Sequence, residues 1–256
     1  MVYDMLKSGL VWGPKDLVEG INSNEPRMSS SNGNVYFYDN SARYSPKSLL
    51  FKDRTIILSG MVDGPSSESA MEQLLALDAI AKDEGKDITM YVNSPGGYVS
   101  DGLMVYDTMQ HIRSEVSTVV TGQAASMASI LLVAGAKGKR CALPNSTIML
   151  HEASGGSNGK YSSMKVQFIE LDRKLDMLLD IYIKHINRDK DGYFCQFGGK
   201  TNMETLDEME PTRMDDKELK AWLKKWLEKD RYITAEQALN LGIIDSIVDS
   251  KKGKPK

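Results

Sequence analysis

Ser126 lies in the run Gly122-Gln123-Ala124-Ala125-Ser126-Met127-Ala128-Ser129, where residue types and spacing allow nucleophilic chemistry. An apolar, β-rich stretch, Val116 to Val120, precedes it, and a stretch of helical character, Ile130 to Ala134, follows. The serine is therefore expected on a strand-to-helix turn. Ala124 and Ala128 flank it two positions away on each side, and a tight turn that pushes a hydroxyl outward needs small neighbours there. The N–H of Met127, at the helix start, would face an anion forming beside Ser126. A serine that merely caps a buried helix fits the same eight residues.

Two further stretches favour the nucleophile. Ile88 to Gly97 reads as a strand ending in Pro95-Gly96-Gly97, and paired glycines can aim backbone N–H groups into a cavity. Ile148-Met149-Leu150-His151 reads as a short apolar strand that delivers a histidine at its end. The chain has three histidines. His111 and His185 fall near helix ends and read as surface or half-buried residues. His151 alone stands where strand ends would gather with Ser126 and the glycine pair, as a general base must. A serine hydroxyl is a poor nucleophile at neutral pH. An imidazole must take its proton, and a carboxylate must orient and stabilise that imidazole.

The elements that would hold these residues alternate between strand and helix. Arg54 to Val62 reads as a strand and Ser67 to Lys82 as a helix, with Ala70, Leu74, Leu77 and Ala81 on one face. A strand at 88–93, a helix near 99–112, a strand at 116–121 and a helix near 126–136 follow. The alternation predicts an α/β core. From about Ser162 to Ile186 a long helix carries Met164, Phe168, Leu171, Leu175, Leu178 and Tyr182 as a heptad-like seam. At ~1.5 Å per residue it is about 37 Å long, more than a small domain covers. A core-facing helix would carry such a seam, but the length favours a projecting handle, and the seam is expected to be buried between subunits.

Composition narrows the class. The net charge of −3 gives no strong attraction to nucleic acid. Cys141 and Cys195 are far apart and form neither a disulfide framework nor a zinc motif. No apolar run reaches the ~18 residues of a membrane span. The N-terminus lacks a signal-peptide layout, so a cytoplasmic location is expected. Gly135-Ala-Lys-Gly-Lys-Arg140 lacks phosphate-loop spacing and no Rossmann glycine motif occurs, so no cofactor is expected in this chain.

Asn93-Ser94-Pro95-Gly96-Gly97, Tyr106 to Gln110, Gly122 to Met127, Ala134 to Arg140 and Leu143 to Ser146 together resemble the ClpP family. These are the proteolytic subunits of the ATP-dependent Clp protease. Asp230 to Ala235 and Gly242 to Ile247 resemble the closing part of the same family. The resemblance covers about residues 45–187 and 216–249. It implies an α/β protein of the ClpP/crotonase-like fold, a spiral of β-β-α units with a protruding handle helix. It further implies Ser126 as nucleophile, His151 as base and Asp230 as orienting acid, with Gly97 and Met127 supplying oxyanion-hole N–H groups. Asp172, Asp176 and Asp180 of the long helix are expected to face solvent or subunit contacts. The implied assembly is a homo-oligomer of heptameric rings stacked into a tetradecamer. Polypeptide substrates would be fed by a Clp-family AAA+ unfoldase that uses ATP, with no nucleic acid or membrane involved.

The resemblance leaves residues 1–44 as an N-terminal extension and arm, with a linker-like Met28 to Asn34 and a hairpin or arm at 35–44. Residues 45–249 form the peptidase domain, with a handle at about 152–187 and an insertion at about 188–215. Residues 250–256 read as a disordered tail. Glu152-Ala153 stands where the family usually has Gln-Pro, which predicts altered handle contacts. These departures suit a divergent, phage-encoded or otherwise specialised member. A phage maturation protease without an ATPase, and a non-catalytic ring subunit, are the alternatives. A crotonase-type acyl-CoA enzyme would share the fold without needing the three side chains together. A signal-peptide peptidase would use a Ser–Lys pair.

Overall fold

In the computed structural model, the described residues are 27–31, 34–39, 42–81, 86–187 and 215–248, with side chains from Ser45 onward. The chain divides into two compact units between Lys52 and Asp53. Most of the expected N-terminal extension, the insertion up to residue 214 and the tail at 250–256 lie outside the described residues.

The first unit contains β1 (Arg27–Ser31), β2 (Asn34–Asp39), β3 (Ala42–Tyr44) and α1 (Pro46–Lys52). The three strands form an antiparallel sheet in chain order. The hairpin expected over 35–44 is present. The linker-like reading of 28–34 is corrected, because Arg27 to Ser31 pairs in register with Tyr38 to Asn34. Pairing needs only backbone donors and acceptors, which a serine-rich run supplies as well as an apolar one. Pro46 opens α1 where its missing N–H costs nothing, and Ser45 Oγ accepts the Ser48 N–H at 3.1 Å.

The second unit begins with β4 (Thr55–Ser59), α2 (Gly64–Ala81), β5 (Ile88–Ser94), α3 (Val99–His111), β6 (Val116–Ala125) and α4 (Met127–Val133). It continues with β7 (Arg140–Ala142), β8 (Thr147–Leu150), α5 (Tyr161–His185), α6 (Asp216–Trp226), β9 (Arg231–Thr234), α7 (Ala235–Asn240) and β10 (Ser246–Ile247). Strands β10-β7-β6-β5-β4 lie side by side and parallel. The expected α2 face, Ala70, Leu74, Leu77 and Ala81, is buried, and every residue of α4 is buried. Burial on this scale, at roughly 25 cal/mol per Å² of apolar surface, drives the helices onto the sheet.

β6 is longer than its sequence suggests because it serves two partners in succession. Thr118 to Val120 pair with β7, and Gln123 to Ala125 pair with β8. Between the two pairings the register against β5 shifts, from Val92↔Val120 to Ser94↔Ala124. Gly122 sits in this bulge with φ of 117°, and a Cβ there would come 2.7 Å from Asn93 Oδ1. That oxygen accepts the Gln123 N–H at 3.3 Å, so glycine and asparagine together shape the fork.

The long helix departs from the expected seam. Tyr161, Val166, Phe168 and Ile169 are exposed, but Leu178 and Tyr182 are buried inside the protomer together with Leu179, Ile181 and Ile183. The C-terminal half of the stripe therefore belongs to the unit's own core, and only the N-terminal half is left for another subunit. Residues 151–160 form no strand. α6, which has no counterpart among the expected elements, starts in a capping box. Asp215 accepts the Glu218 N–H at 2.8 Å, and Glu218 accepts the Asp215 N–H at 2.9 Å. It buries Leu219, Leu223 and Trp226 at helical spacing.

The root of α5 docks on a buried ion pair. Arg140 is fully buried, and its guanidinium reaches Asp245 through Nη2 at 2.6 Å and Nε at 2.9 Å. Burial opposes the Asp245 charge, but the Arg140 hydrogen bonds outweigh it and hold the carboxyl below its usual range. Arg140 Nη1 also donates to the His185 carbonyl at 2.6 Å. The expectation of a surface or half-buried His185 is corrected: it is buried, and its Nε2 lies 3.2 Å from Tyr106 Oη. Burial first, then the charges of Lys184, Arg140 and Lys137, lowers its pKa from 6.5 to about 4. The unfolded chain thus takes up this proton first, so stability should fall as pH drops from 6.5 to about 4. His185→Gln should remove about 2 kcal/mol of the decline between pH 7 and pH 4.5, read from urea unfolding at both pH values. Equal declines in the two proteins would contradict the assignment.

Candidate active site

Three neighbouring strand ends meet at one edge of the second unit. β6 and β8 run parallel and end there, at Ser126 and His151. β9 runs antiparallel to β8 and begins there, just after Asp230. Adjacent strands lie about 4.8 Å apart, so the topology alone brings the three side chains within reach. The register sharpens this. Ala125 faces Met149, Ser126 N–H donates to the Met149 carbonyl at 2.8 Å, and Leu150 faces Arg231.

Ser126 leaves β6 in an unusual conformation, with φ of 53° and ψ of −124°. A non-glycine residue there is strained by about 1–3 kcal/mol. The helix-capping reading fails on two counts. The backbone is far from the extended conformation of an N-cap, and the side chain makes no cap hydrogen bond. Instead, Ser126 Oγ lies 2.8 Å from His151 Nε2. Asp230 Oδ1 lies 3.3 Å from His151 Nδ1. The turn carrying Asp230 is tied to the histidine's neighbour, because Glu152 N–H donates to the Leu227 carbonyl at 2.8 Å. Glu152 itself is exposed.

The two residues expected to supply backbone donors line one cleft. Gly97 and Met127 line a cleft with Ser126 and His151, and neither N–H donates to another group among the described residues. Both glycines of the turn are required. Gly96 has φ of 90°, and a Cβ there would stand 2.6 Å from the Ala125 carbonyl. Gly97 bridges to Val62, and a Cβ there would overlap the Val62 backbone. Gly102 of α3 likewise leaves room for the Met127 side chain. The far wall of the cleft is apolar, from Ile130, Leu175, Leu178 and Leu179. The Ser126–His151 contact allows the serine proton to pass to the imidazole, and the Gly97 and Met127 N–H groups, which donate to no other described group, are candidates to hold an adjoining oxyanion.

A family model described as Clp protease matches residues 39–194. The ATP-dependent Clp protease proteolytic subunit of Dehalococcoides mccartyi strain BAV1 is 40% identical over 207 residues, covering 81% of this chain and 88% of that protein. The subunit of the same name from strain CBDB1 matches to the same extent. The chain belongs to the Clp protease family. Its α/β sheet with packed helices is consistent with the ClpP fold. No helix among the described residues is long and apolar enough to cross a membrane.

The three aspartates of α5 lie elsewhere: Asp180 pairs with Lys220 of α6 at 2.7 Å, Asp176 stands 3.9 Å from the same lysine, and Asp172 is exposed. His111 is exposed at the end of α3. Sequence reasoning missed the role of Leu175, Leu178 and Tyr182 as cleft walls, because their spacing fits a subunit seam equally well. It also missed Ser129, whose only signal is its place one helical turn beyond Ser126.

Asp230→Asn should lower kcat by roughly 10⁴-fold with KM little changed, because the amide cannot hold the imidazole as the carboxylate does. Asp176→Asn and Asp180→Asn should leave both parameters near the wild-type values. Steady-state kinetics on a fluorogenic peptide separate these outcomes. Full activity in Asp230→Asn would remove it from the site.

Proposed function

We propose that this chain is a serine endopeptidase that hydrolyses polypeptides inside a ring-shaped chamber. The observation that carries the reading is the 2.8 Å contact between Ser126 Oγ and His151 Nε2 at a strained strand-to-helix turn. In this reading Ser126 attacks the scissile carbonyl while His151 takes its proton. The carbonyl oxygen becomes an oxyanion held by Gly97 and Met127 N–H. His151 then protonates the leaving amine, and an acyl-Ser126 forms. Water deprotonated by His151 releases the acyl group by the same steps. Asp230 orients the imidazole and stabilises its charged form. No cofactor takes part in this chain. The apolar wall formed by Ile130, Leu175 and Leu178 favours an apolar side chain next to the cleaved bond.

The exposed Tyr161, Val166, Phe168 and Ile169 on α5 support assembly, since a soluble monomer rarely leaves so many large apolar side chains uncovered on one stretch of helix. The family supports rings of this subunit generally. We extend this to heptameric rings stacked as a tetradecamer, fed in the cytoplasm by a separate ATP-driven Clp unfoldase. The Ser126–His151 contact favours a catalytic over a purely architectural subunit.

Ser126→Ala should abolish both peptidase activity and labelling by a fluorophosphonate, a loss of several powers of ten. Labelling that persists, or that maps to Ser129, would overturn the assignment. Phe168→Glu with Ile169→Glu should shift the sedimenting species to smaller assemblies without touching the cleft. A fully active wild-type monomer in analytical ultracentrifugation would contradict the chamber.

A further inference from the structure

A buried hydrogen-bond chain runs from α5 to the peptide bond between Ser126 and Met127. Ser129 Oγ donates to the Ser126 carbonyl at 2.6 Å, and Ser129 N–H donates to the same oxygen at 2.9 Å. Tyr182 Oη lies 2.7 Å from Ser129 Oγ. Ser129 has one hydroxyl proton, already directed at the Ser126 carbonyl, so Tyr182 must be the donor in the second contact. Ser129 is fully buried and Tyr182 is 3% exposed, so water does not compete. Burial raises the Tyr182 phenol well above its usual pKa, and its Ser129 hydrogen bond only partly offsets this. The phenol stays protonated, and the direction of the chain does not change with pH.

The carbonyl of Ser126 and the N–H of Met127 belong to one planar trans peptide, so they point in opposite directions. Fixing the carbonyl from the buried side therefore aims the N–H into the cleft. A carbonyl that accepts hydrogen bonds also polarises its peptide and makes the N–H a better donor. We propose that Tyr182 and Ser129 are positioning residues for the oxyanion hole, setting the direction and donor strength of the Met127 N–H. The proposal rests on the serine-peptidase reading above. Its content is separate, because Tyr182 touches no reacting atom.

The test uses the assembled full-length protein and a fluorogenic peptide. Tyr182→Phe keeps the ring and its packing and removes one hydroxyl. Ser129→Ala removes the second bond to the carbonyl but keeps the Ser129 N–H bond, so the loss is partial. Each variant should lower kcat by about 3- to 10-fold, the size of one neutral hydrogen bond, with KM within about twofold of wild type. Affinity for a peptide boronate, which forms a tetrahedral adduct, should fall by the same factor as kcat. The double variant should be no slower than Ser129→Ala, because the phenol acts only through the serine. An unchanged kcat and boronate affinity in Tyr182→Phe would overturn the proposal, as would additive losses in the double variant. Should Tyr182→Phe fail to assemble, the Ser129→Ala split between kcat and KM decides alone. An inactive wild type, or an active Ser126→Ala, would instead overturn the peptidase reading itself.

Discussion

The backbone of Ser126 is the constraint on which the site depends. Its φ of 53° and ψ of −124° would relax in an isolated turn. Three hydrogen bonds prevent that: its N–H is held by the Met149 carbonyl, and its own carbonyl by both donors of Ser129. At about 0.5–1.5 kcal/mol net each, these bonds are of the size needed to offset the strain. The result is a hydroxyl held 2.8 Å from His151 Nε2, in a cleft that Met127 also lines.

The sheet makes this turn possible by forking. A strand paired throughout with β7 would have no vacant edge for β8, and His151 would not reach Ser126. The bulge at Gly122 lets β6 change partner, and Asn93 fills the space a side chain would otherwise occupy. Antiparallel β9 then returns Asp230 to the same edge. The Asp230 side chain is 60% exposed and stands 3.3 Å from His151 Nδ1. Catalytic contacts at free sites are commonly long and tighten when substrate excludes water.

Legibility in the sequence followed the length scale of the signal. The α2 stripe and the Ser126, Gly97 and His151 turns are local patterns, and they could be read directly. Asp230 is distant in sequence from His151, and only resemblance pointed to it. β1 was hidden because a serine-rich strand and a serine-rich linker share a composition. α6 had a readable capping box at Asp215 and Glu218, but it adjoins a polar insertion that masked it. The α5 stripe is legible only in part because periodicity reports an apolar face and not its partner. Leu178 and Tyr182 meet their own core, while Phe168 does not. The Tyr182–Ser129 contact joins residues 53 positions apart, and no spacing rule indicates it.

The most direct measurement is a structure of the assembled protein with a peptide boronate bound. Boron should be bonded to Ser126 Oγ, with one boronate oxygen about 2.7–3.1 Å from both the Gly97 and Met127 nitrogens. A boronate on another residue, or one on Ser126 whose oxygens face away from both nitrogens, would contradict it.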